Sequence, residues 1–82
     1  MATTEELLQR ITANPEIYGG KPIIRGHRMA VEHVLQLMGA GTTVDELLEH
    51  YPWMDRDDVQ ACLLFAARVV GRERVDIAVT AK

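Results

Sequence analysis

Between Ala61 and Val70 the chain carries a single polar side chain, Arg68. Val59, Leu63, Ala66 and Val70 recur here at helical spacing, and Cys62, Phe65 and Val69 form a second line beside them. A helix apolar over most of its circumference has to be buried on more than one side. A chain of 82 residues makes at most one domain with a modest core, enough to cover one side of such a helix. The other side calls for a second subunit or a different protein, so a homodimer or higher assembly is expected. The apolar run from Ala61 to Ala67 is far too short to span a bilayer. Met1 to Glu6 shows no basic region followed by an apolar stretch, so no secretory signal is expected. These points together predict a soluble cytoplasmic protein.

The rest of the chain supplies elements for this helix to pack on. Thr3 or Thr4 caps a short first helix reaching about Arg10, and Asn14-Pro15 stops it. Ile23-Ile24, between Pro22 and Gly26, suits a short strand, with Arg10-Ile11-Thr12 as its hairpin partner. Val31, Val34, Leu35 and Met38 mark an amphipathic helix that ends at Gly39-Ala40-Gly41. Thr43 and Glu46 form a capping box for the next helix, whose inner face is Val44, Leu47, Leu48 and Tyr51. Asp55 caps the apolar helix, which runs to about Val70 with Gly71 as its stop. The expected fold is mainly α: a three-helix, homeodomain-like helix-turn-helix bundle over residues 31–70, preceded by a short helix and a small β-hairpin. In the tail, residues 72–82, Val75, Ile77 and Val79 alternate with Asp76, Ala78 and Thr80. That pattern fits either a C-terminal strand or a frayed terminus.

Charge is unevenly spread. The net value is -3, but Lys21 to Arg28 holds three bases and no acid, whereas Asp45 to Asp58 holds six acids and one base. Such asymmetry suits recognition of a partner surface, and it equally suits a solvated exterior. A single cysteine excludes an internal disulfide and a cysteine-based zinc site. Cys62 lies in an apolar helical run, where a buried thiol is inert. His27, His33 and His50 lack metal-ligand spacing. No constellation supports an enzyme, and no metal or cofactor is expected.

The stretch Gly19-Gly20-Lys21-Pro22-Ile23-Ile24-Arg25-Gly26-His27-Arg28-Met29-Ala30-Val31 resembles the signature of the domain-of-unknown-function 433 family. That signature runs Gly-Lys-Pro, two branched apolar residues, Arg-Gly, a second Arg, then a Val that opens a helix. A second block agrees: Gly41-Thr42-Thr43, Glu46-Leu47-Leu48, Tyr51-Pro52, then Asp57-Asp58-Val59 and Ala61. The two blocks cover roughly residues 11 to 70. His27 stands where a threonine is usual, and Asp55 where a threonine often caps. The resemblance implies a helix-turn-helix-like, homeodomain-like fold. It also implies an antitoxin role beside a nuclease-like toxin of the PIN type. It carries over no catalytic residues.

Candidate sites follow. Lys21, Arg25 and Arg28 suit DNA phosphates or acids on a partner, unless an acid of the same domain takes them. The loop lacks Walker spacing. The first turn of the last helix offers Asp55, Asp57 and Asp58, which phosphates repel, so this helix is read as protein-binding rather than base-reading. Leu64, Arg68, Arg72, Arg74, Val75, Ile77 and Val79 are the expected contacts to a PIN-like ribonuclease toxin, the arginines facing its acidic metal-binding cluster. Trp53 and Tyr51 either pack under the turn at Pro52 or serve as a partner hot spot. Neutralisation of such a toxin, with autoregulation at operator DNA, is the first expectation. A DNA-binding transcriptional regulator without a toxin is the alternative.

Overall fold

The computed structural model describes residues 2–72. The expected tail contacts Arg74, Val75, Ile77 and Val79 lie outside the described residues. In order the elements are α1 (Thr4–Leu8), β1 (Ile11–Ala13), β2 (Pro22–Ile24), α2 (Val31–Gly39), α3 (Val44–His50) and α4 (Arg56–Arg72). The fold is mainly helical with one short antiparallel hairpin.

Local signals account for the helix starts. Thr3 and Thr43 each accept from the backbone N–H three residues on, and Glu6 and Glu46 accept from the cap backbone in return. Asp55 and Asp58 repeat this at α4: the Asp58 N–H donates to Asp55 Oδ1 at 2.9 Å, and the Asp55 N–H to Asp58 Oδ2 at 3.1 Å. Each arrangement satisfies two donors that a helix start otherwise leaves open.

The hairpin pairs Ile11 with Ile24, Thr12 with Ile23 and Ala13 with Pro22. Beyond β2 the chain turns at Arg25-Gly26, where His27 N–H donates to the Ile24 carbonyl at 3.0 Å. Gly26 has φ +84°, as the third position of such a turn requires. The chain then returns along the other side of β2, with Ile23 bridged to Ala30 and Ile24 N–H bonded to the Met29 carbonyl. This doubling back buries both Ile23 and Ile24, although they point to opposite faces.

Helices α2, α3 and α4 form the bundle over this hairpin. Its core joins Ile24, Met29, Val31, Val34, Leu47, Met54, Val59 and Cys62. Leu35, Met38, Val44, Leu48 and Tyr51, assigned to inner faces by spacing, pack half-buried around it. Boundaries differ from expectation by one or two residues. Helix α1 stops at Leu8, and β1 begins at Ile11. Helix α4 runs through Gly71, which lacks the positive φ of a glycine cap and so does not end the helix.

Candidate interaction surfaces

On α4 the buried residues are Asp58, Val59, Ala61 and Cys62. Asp58, Cys62, Phe65 and Val69 follow one another along a single helix face. Cys62 is sealed in the core and Phe65 is half-buried, but Val69 is 38% exposed. Every residue from Ala67 to Arg72 is exposed, whichever way it points. Among the described residues the last turns of α4 therefore project past the body of the bundle, and the core-facing stripe continues beyond it. Val70 is 69% exposed and Leu63 45%. A hollow of about 460 Å³ lies between α1 and α4, lined by Leu7, Leu63, Leu64, Gln60, Asp57 and Ala2.

The expected partner residues divide along this helix. Leu64 is half-buried in the wall of the hollow, and Arg72 is exposed in the last turn. Arg68 Nη2 donates to Glu5 Oε2 of α1 at 2.8 Å. Both partners are well exposed, so this pair is worth little and leaves Arg68 able to exchange partners.

At the other end of α4, Arg10 sits among three carboxylates. Its Nη1 lies 3.1 Å from Asp55 Oδ1 and 3.0 Å from Asp58 Oδ1, and its Nη2 is 3.5 Å from Asp57 Oδ2. The hydrogen bond to Asp58 raises the Arg10 pKa above its ordinary value. Burial pushes the Asp55 carboxyl up, but the Asp58 backbone N–H and the Arg10 charge outweigh it, so its pKa lies below the usual range. Spacing assigns Asp55 to the cap and places Asp57 and Asp58 in the first turn; their guanidinium comes from the connection after α1, which no local pattern links to α4. Cys62, beside this cluster, has its thiol pushed up to about 12 by burial and then by the Asp58 carboxylate.

The basic loop is not one patch. Lys21 Nζ bonds Glu32 Oε1 at 3.0 Å. Arg25 and Arg28 are exposed and form no ion pair among the described residues. Arg25 lines a hollow with His27, Trp53 and Arg10, whereas Arg28 lines another with Tyr18, His33 and Tyr51. The His27 and Trp53 rings stack at 3.7 Å between centroids, 11° from parallel. This contact ties the turn after β2 to the segment between α3 and α4. It engages one face of Trp53 within the domain, a use that the position of Trp53 beside Pro52 does not reveal. Among the described residues no group of His, Cys, Asp and Glu is placed to hold a metal ion, and no helix is long and apolar enough to cross a membrane.

A small helix-turn-helix-like domain with an overhanging apolar helix and an exposed basic loop is thus defined. The chain belongs to the family described as "Protein of unknown function (DUF433)", whose model matches residues 11–66. It is similar to "Uncharacterized protein y4eO" of Sinorhizobium fredii (strain NBRC 101917 / NGR234), with 34% identity over 67 residues. That match covers 79% of this chain and 30% of the relative, so this chain spans less than a third of that protein's length. It is also similar in structure to a DUF433 member from Anabaena variabilis ATCC 29413, solved at 2.00 Å, with TM-score 0.73 and 25% identity. That likeness covers 83% of this chain and 67% of the other.

Proposed function

We propose that this chain is an antitoxin-like binding protein that neutralises a PIN-like nuclease toxin through α4. The observation that carries the protein-binding part is Val69: it continues the face of Cys62 and Phe65 beyond the point where the domain's own core ends. Exposed apolar surface beside Val70 and Leu63 favours a protein partner over water. Arg68 and Arg72 flank it with planar donors suited to carboxylates, the groups that line a metal-dependent nuclease site. The resemblance to the family supplies the toxin part of the reading.

The test is co-expression of the tagged chain with a PIN-like nuclease encoded beside it. The wild-type chain retains the nuclease and relieves its toxicity; Val69→Glu with Val70→Glu loses both while keeping a native melting profile. Copurification unchanged in that double variant overturns the reading. Removal of residues 73–82 tests the further assignment of Arg74, Val75, Ile77 and Val79 to the contact.

The free state of Arg25 and Arg28 among the described residues supports a second reading, a DNA-binding regulator acting on its own promoter. Its signature is retarded migration of the promoter fragment that disappears at moderate salt and in the Arg25/Arg28 double alanine variant.

A further inference from the structure

Tyr18 adopts a backbone conformation that bulky residues avoid. Its φ is +50°, and Gly19 and Gly20 follow at +64° and +86°. A left-handed backbone at a tyrosine persists only where the surroundings enforce it. Here the outcome is an aromatic ring held out in solvent, 53% exposed. The ring is not loose: its hydroxyl donates to the Arg28 carbonyl at 3.0 Å. Tyr18 therefore stands as a fixed wall shared by two hollows. One, of about 310 Å³, also takes in Lys21, His33 and Gln36; the other, of about 400 Å³, takes in Arg28, His33 and Tyr51. Glu32 is the one carboxylate among the residues lining them, and Lys21 offsets it at 3.0 Å. Arg28 is left as uncompensated positive charge beside the ring among the described residues.

We propose that this face binds single-stranded nucleic acid, with an unpaired base stacked on Tyr18 and the flanking phosphate on Arg28. A rigid, exposed aromatic ring beside cationic side chains is the arrangement that holds unpaired bases. A base within a duplex has no free face to offer it. Duplex reading by α4 is opposed by its first turn, where Asp55, Asp57 and Asp58 share the single guanidinium of Arg10 and leave net negative charge. An acidic peptide would engage Arg28 but gain nothing from the ring. The face uses no residue of α4, so it is independent of the protein-binding role proposed for that helix.

The experiment is fluorescence anisotropy on the full chain with a short labelled pyrimidine-rich RNA, the single-stranded DNA of the same sequence, its duplex, and a labelled glutamate-rich peptide. Single strands bind more tightly than the duplex or the peptide. Tyr18→Ala weakens single-strand binding by roughly tenfold, within the range for loss of one stacked base, while Tyr18→Phe, which keeps the π-face but loses the hydrogen bond to the Arg28 carbonyl, weakens it less. Arg28→Ala weakens binding and flattens its salt dependence. Circular dichroism melts establish that each variant is folded, and Tyr18→Leu, which keeps apolar bulk without the π-face, replaces the alanine variant if that one is not. Failure of the wild-type chain to bind single strands at low salt overturns the proposal. So does equal or tighter binding of the duplex or peptide, or undiminished binding by folded Tyr18→Ala or Tyr18→Leu.

Discussion

Arg10 and Asp58 meet at 3.0 Å although 48 positions separate them in the chain. Asp58 is buried and also caps α4 by accepting from Asp55 N–H, so one carboxylate serves both the helix start and the long-range clamp. Removing Arg10 leaves a carboxylate in a largely dry site with only its backbone donor. Arg10→Met is expected to destabilise the domain by about 2 kcal/mol, a charged hydrogen bond discounted for the part of Arg10 that stays in solvent. In a domain of this size that lowers Tm by roughly 8–16 °C. A thermal melt within a degree or two of wild type would refute the clamp.

Acid sensitivity follows from the same cluster. The Asp55 pKa is depressed in the folded chain, and that of Glu46 is depressed by the Thr43 backbone N–H and hydroxyl. A depressed folded pKa contributes stability above the unfolded value, and that stability is lost as pH falls through the folded one. Denaturant midpoints should hold steady down to about pH 5 and then decline below about pH 4, where free carboxylates begin to protonate. Asp55→Asn, which keeps the cap but cannot ionise, should flatten that decline.

The capping box at α3 offers a local counterpart. Thr43→Ala removes the acceptor that holds the Glu46 N–H at 3.1 Å. The expected cost is about 1 kcal/mol, read as a fall in the urea midpoint at unchanged slope. Thr43→Asp should recover most of it, since aspartate caps as well as threonine.

Two leucines separate the core from the exposed face of α4. Leu47 is sealed in the core, and Leu47→Ala should cost about 3 kcal/mol through lost burial and the cavity left behind. Leu63 is 45% exposed at the hollow between α1 and α4, and Leu63→Ala should cost about 1 kcal/mol or less. On the function proposed above, its effect falls on partner binding, measured by titration calorimetry against the co-expressed nuclease. Equal destabilisation by the two variants would show that α4 is covered on the side described as open.

Cys62 provides a probe of the whole fold. Its thiol, buried and pushed up to about 12, should resist a disulfide reagent in the native state and react once denaturant opens the core. Rapid modification without denaturant would mean that the α4 face of the core is not closed.

How much was legible depends on the range of each signal. The caps at Thr43 and Asp55, the stripe from Val31 to Met38 and the turn at Gly26 are set by residues within one or two turns of each other and are readable in the chain, which narrows the first cap to Thr3 or Thr4. The return of Met29 and Ala30 along β2 is not, because Met29 and Ala30 carry no distinctive pattern. The excess apolar surface of α4 was legible from its composition. Which part of it stays open depends on where the bundle ends beneath the helix. The pairing of Lys21 with Glu32 and of Arg68 with Glu5, and the stack of His27 on Trp53, likewise depend on how the elements lie across one another.

By itself, the order of residues determined where helices begin, where the chain reverses and which side chains avoid water, because caps, glycine turns and apolar periodicity act over a few bonds. Only the tertiary structure decided which charges are spent within the domain and which remain available. That choice depends on distances between segments tens of residues apart, and those distances come from the packing of the whole core.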